Sequence, residues 1–119
     1  MFLSDLEHSF NQNSFNINFK MNIEEQKSIF NVEYQKNKLK ILCNQNTILD
    51  EDFSFPSFHG FDFQDNSFFA DFNTISFEFK VVDEGIIFDV NENTEDSGEN
   101  LLSCYLFEDE IFENLEEID

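Results

Sequence analysis

NTISFEFKVVDEGIIFDVN, residues 73–91, alternates apolar and polar side chains through two successive segments with a turn between them. A period of two marks a half-buried strand, so the stretch predicts a β-hairpin. With Glu84 and Gly85 at its tip, Val82 faces Ile87, Val81 faces Phe88, Lys80 faces Asp89 and Phe79 faces Val90. That register gathers Phe77, Phe79, Val81, Ile86, Phe88 and Val90 on one face. Glu78, Lys80 and Asp89 fall on the other, Lys80 and Asp89 forming an opposite-charge cross-strand pair. A three-residue loop of Asp83, Glu84 and Gly85 would set Lys80 against Phe88 and Phe79 against Asp89, mixing the faces, and is rejected.

Outward from this hairpin the same alternation recurs. Phe15, Ile17, Phe19 and Met21 read as a strand, and Phe30, Val32 and Tyr34 as another. The turn-like residues 35–38 lead into Leu39, Ile41 and Cys43, a second hairpin. Ser4 followed by Glu7 has capping-box spacing, which predicts a short helix over 5–10. Residues 44–52 are polar and read as a loop. Between 53 and 72, eight Phe alternate with Asp62, Asp65 and Asp71. Pro56 and Gly60 interrupt that segment, leaving room for one or two short strands, with Pro56 favouring an edge position. Residues 92–100 read as an acidic loop, residues 102–107 fit either strand or helix, and 108–118 predicts a helix. The expected fold is therefore α+β in a single domain over 1–119: an antiparallel, hairpin-rich meander of five or six strands with a short helix near each end.

The chain has 119 residues, enough for one core, and eighteen Phe with a single Pro argue for a packed interior despite a net charge of −20. Residues 1–49 balance five acids with five Lys, whereas 50–119 set twenty-one acids against Lys80 alone. Such a field repels nucleic acid and anionic membranes and attracts basic proteins or cations. It also predicts a monomer or weak dimer, because like-charged copies repel. The first ten residues lack a basic start and a long apolar run, and no eighteen apolar residues occur together, so the chain reads as cytoplasmic. Cys43 and Cys104 lie in apolar surroundings without CxxC spacing and read as buried free thiols.

Enzyme chemistry finds few of its usual parts. There is no Arg, there are two His, and neither a Gly-rich phosphate loop nor a GxSxG turn is present. Carboxylates are so abundant that no catalytic pair stands out. Asp89, Asn91 and Asn93 begin like an EF-hand loop, but the sixth and twelfth positions are Thr94 and Asn100 rather than Gly and Glu. His59 has no second metal-ligating His or Cys close by in sequence and reads as a structural turn residue. No enzyme activity, cofactor or metal is expected.

Binding is the stronger reading. Aromatic anchors ringed by carboxylates suit a tight, electrostatically steered protein interface, although most of these Phe are expected to fill the core. The candidate partner-binding residues are Asp62, Asp65, Phe68 and Asp71 from the Phe–Asp segment, then Glu92, Glu95, Asp96 and Glu99 from the acidic loop. Glu108, Asp109 and Glu113 join them from the tail, where carboxylates in a last helical turn oppose the helix dipole.

Phe58-His59-Gly60-Phe61 leading to the alternating Ile75-Ser76-Phe77-Glu78-Phe79, with the size and acidity of the chain, resembles the small immunity proteins of bacterial polymorphic and contact-dependent growth inhibition systems. The resemblance implies a toxin inhibitor that binds one cognate toxin domain, commonly a nuclease, and blocks its active site or substrate groove. The alternative use of the same charge is a phage nucleic-acid mimic that inhibits restriction or CRISPR nucleases.

Overall fold

The computed structural model describes residues 1–93 and 98–111. Ten strands follow one another: β1 (Phe2–Phe10), β2 (Phe15–Ile23), β3 (Gln26–Gln35), β4 (Lys38–Cys43), β5 (Asn46–Asp52), β6 (Gly60–Gln64), β7 (Ser67–Phe72), β8 (Ile75–Val82), β9 (Gly85–Asn93) and β10 (Gly98–Phe107). The first five form one antiparallel meander in the order β1-β2-β3-β4-β5, and the last five form another. Their apolar faces meet in one shared core. Phe19 is its hub, within 5.2 Å of Phe30 on its own sheet and reaching Phe68 at 5.6 Å and Phe79 at 4.8 Å on the other. Each buried Phe contributes about 1.5–3 kcal/mol of transfer free energy, so this ring stack is the main apolar source of stability.

The α+β expectation is overturned: the chain folds as a two-sheet β-sandwich. Residues 5–10 belong to β1, because six residues cannot sustain a helix alone whereas a strand gains a ladder against β2. A bulge at Asp5 and Leu6, with Asp5 at φ 52°, bends that strand. Residues 44–52 are not a loop either. Asn44 and Gln45 take left-handed conformations in a two-residue turn, and β5 follows. As an edge strand β5 buries only Ile48 and Leu49 in part, which leaves little apolar signal to read. Residues 102–107 are strand, and the described part of the predicted C-terminal helix is a single turn ending at the fully buried Ile111. Among the described residues no helix is long and apolar enough to cross a membrane.

The central hairpin forms with its faces sorted as expected but its register moved by two residues. Val82 pairs with Gly85, Phe79 with Phe88 and Glu78 with Asp89, so the turn is Asp83-Glu84 and Lys80 lies opposite Ile87 rather than Asp89. The cause lies in β10. A Cβ on Gly85 would sit 2.0 Å from the Leu106 carbonyl oxygen, so this glycine serves close strand approach rather than the turn.

Residues 53–59 link the two meanders across one end of the sandwich. Phe55 packs against Phe15, Tyr34 and Phe72, and Phe58 stacks on Phe10 at 4.1 Å. The Phe55 N–H donates to the Tyr34 hydroxyl at 3.0 Å, and that hydroxyl donates to Asn37 Oδ1 at 3.2 Å. Pro56 lies in this link, and the strand that follows it, β6, is an edge strand.

Candidate functional site

Because β7 alternates, burying Phe68, Ala70 and Phe72, its other parity must face outward, and Phe69 is 36% exposed on the outer face of the second sheet. Register assembles its surroundings. Asp62 lies across from Phe69 on β6, Glu78 across from it on β8, and Asp71 two residues along on the same face. Directly opposed side chains sit about 4.5–5.5 Å apart at Cβ, so three carboxylates ring one exposed aromatic. The row continues through Asp89, opposite Glu78, to Ser103.

Two carboxylates placed directly opposite each other repel, and the local partners compensate only partly. Lys80 Nζ lies 3.6 Å from Glu78. Asp89 accepts hydrogen bonds from Ser103 Oγ at 2.8 Å and Asn100 Nδ2 at 3.4 Å. Asp71 accepts one from the Asn73 N–H at 3.1 Å, closing an Asx turn. Across β9 and β10, Glu92 opposes Glu99, a second like-charge pair.

The first sheet's outer face is built differently. Asn31 Nδ2 donates to Asn16 Oδ1 at 3.1 Å and to Asn18 Oδ1, and Glu33, Lys40 and Asp50 alternate in sign along one row. Lys20 pairs with Asp5 at 3.3 Å and Lys38 with Asp50 at 3.4 Å. The break in charge after residue 49 falls inside β5, so the first sheet's span from Phe2 to Asp52 carries eight acids against five Lys, whereas from Gly60 to Phe107 the chain carries eleven acids against Lys80.

Of the expected contact residues, Asp62 and Asp71 sit on the acidic face, and Asp65 lies in the β6–β7 turn with φ 45°. Glu92 and Glu99 occupy the distal end of the β9–β10 pair. Glu108 and Asp109 follow β10, where the Glu108 N–H donates to the Glu84 carbonyl at 2.9 Å. Glu95, Asp96 and Glu113 lie outside the described residues. Phe68 requires correction: at 1% exposure it packs against Phe19 and Phe79 and is a core ring. Its neighbour Phe69, with Glu78 and Asp89, was missed; strand parity within residues 67–72 is the signal that finds Phe69.

The remaining chemistry-bearing groups lie elsewhere. Burial pushes the Cys43 thiol up to about 12 and raises that of Cys104, with the Glu110 charge adding to the latter, so both stay protonated at neutral pH. His59 is exposed in the link, its backbone N–H bonded to the Asp71 carbonyl at 2.7 Å. Among the described residues no three His, Cys, Asp or Glu side chains converge on a metal-sized site. Comparison with protein-family models, curated protein sequences and solved structures finds no match to this chain.

Proposed function

We propose that this protein is an immunity-type inhibitor that captures a basic toxin domain, a nuclease first among the candidates, on the outer face of its second sheet. The observation that carries the reading is Phe69 exposed between Asp62, Asp71 and Glu78. A nuclease must hold phosphates in a cationic groove, and a carboxylate field competes for that groove while steering encounter to rates of order 10⁸ M⁻¹s⁻¹ at low salt. Carboxylates alone give fast arrival and fast departure. A ring desolvated at the centre of the contact lengthens residence, which is the role assigned to Phe69. Five strands about 4.8 Å apart and some eight residues long offer a face of the same order as the roughly 800 Å² each partner buries in a standard interface.

The test is to capture partners from the producing organism on immobilised protein, assay each recovered basic protein for nuclease activity, and titrate that activity with wild-type and Phe69→Ala protein. Stoichiometric inhibition weakened by the substitution supports the reading. Recovery of a restriction or CRISPR nuclease whose DNA competes for the same face would replace it with nucleic-acid mimicry, and no inhibition of any recovered protein would remove both.

A further inference from the structure

A two-sheet sandwich has four edge strands, here β1, β5, β6 and β10. Exposed edges invite pairing with other chains, and bulges are a common way to block it. Three of these four pairings are broken by register shifts: between Ser4 and Glu7 in β1, opposite Ile41 and Leu42 for β5, and between Asn100 and Leu102 in β10. The fourth is regular. Residues Gly60 to Gln64 pair with Asp71 to Ser67 without a shift, and the sequence GFDFQ holds neither Lys nor Pro.

Beside this regular edge lies a cleft of about 580 Å³ that opens between β6 and the bulged part of β1. Phe61 and Phe63 of β6 face Leu3, Leu6 and His8 across it, with the His8 ring 4.3 Å from Phe61 and Phe63 47% exposed. Asp62, of opposite parity, points to the outer side and is exposed. The edge therefore presents an aromatic, a carboxylate and an aromatic in succession.

We propose that β6 is a docking edge for an extended segment of a basic partner, which adds as an eleventh strand. Main-chain hydrogen bonds to β6 hold it, apolar side chains of one parity enter the cleft beside Phe61 and Phe63, and a Lys or Arg of the other parity lies next to Asp62. A second copy of this chain is the wrong occupant. Antiparallel β6–β6 pairing centred on Asp62 would oppose two carboxylates and bring together two chains of net charge −20. The inference rests on the edge and its cleft, and stands whether or not the outer face captures a toxin domain.

The probe is a short capped peptide of alternating Lys and Val, compared with a peptide of the same composition in which Lys and Val form separate blocks. The alternating peptide is expected to bind about tenfold or more tightly than the block peptide, and to slow amide hydrogen exchange in residues 60–64. Phe63→Ala should remove most of that preference, while Tyr105→Ala, on β10 at the opposite edge of the sheet, should leave it intact. Equal binding of the two peptides, or exchange protection that spares residues 60–64, would overturn the proposal.

Discussion

Glu78 and Asp89 stand directly opposite each other on β8 and β9, two carboxylates facing out from the middle of the second sheet. Opposed like charges on a sheet destabilise by roughly 0.2–1 kcal/mol, and Lys80, at 3.6 Å from Glu78 and half exposed, recovers only part of that. Glu78→Gln is therefore expected to raise stability by up to about 1 kcal/mol in urea denaturation, while slowing association with the partner. A variant that is less stable than wild type would mean that the Lys80 pair outweighs the repulsion.

Phe68 and Phe69 are adjacent in sequence and point to opposite sides of β7. Phe68→Ala opens a cavity against Phe19 and Phe79 and should cost about 3–5 kcal/mol, enough to unfold a marginal domain. Phe69→Ala should shift stability far less, yet raise the dissociation rate of the complex by a factor of about thirty if the ring is a hot spot worth about 2 kcal/mol. Thermal melts and dissociation kinetics of the two variants separate these roles.

The Tyr34 hydroxyl holds the link between the meanders by accepting from the Phe55 N–H and donating to Asn37. Tyr34→Phe leaves that part-buried N–H without its partner, a loss of about 1–3 kcal/mol. Chemical denaturation should show the drop with an unchanged denaturant slope, since the surface exposed on unfolding stays the same.

Cys43 supplies a pH dependence whose sign follows from its raised pKa. The unfolded thiol ionises near its ordinary value of 9.0, whereas the folded thiol stays protonated to about 12. Its contribution is thus complete below pH 9 and is lost progressively as pH rises from there towards 12. Stability measured from pH 8 upward should fall more steeply in wild type than in Cys43→Ala, and equal slopes would contradict the assignment.

What the sequence could reveal depended on whether the deciding contact was local. Face parity in residues 75–90 was readable because alternation is a property of the strand itself. Its register was not, because Gly85 answers to the carbonyl of Leu106, far along the chain in β10. Ser4 and Glu7 carry a helix-start spacing that tertiary pairing with β2 overrides. The edge strand β5 lacks the apolar residues that mark a strand. The acidic imbalance is plain in the composition, and the two-meander topology turns it into one strongly acidic sheet packed on a weakly acidic one. The adjacent Phe68 and Phe69 are hard to tell apart in sequence because a run of Phe hides its own parity until the ends of β7 are known.

Stopped-flow association of the basic protein captured on immobilised protein with wild type and with Asp62→Asn/Glu78→Gln/Asp89→Asn, across a range of salt concentrations, tests the role of the acidic face most directly. If that face steers the partner, the triple variant associates about tenfold or more slowly at low salt, loses most of its salt dependence and keeps its dissociation rate. Association that is as fast and as salt-sensitive as wild type would show that the partner arrives elsewhere.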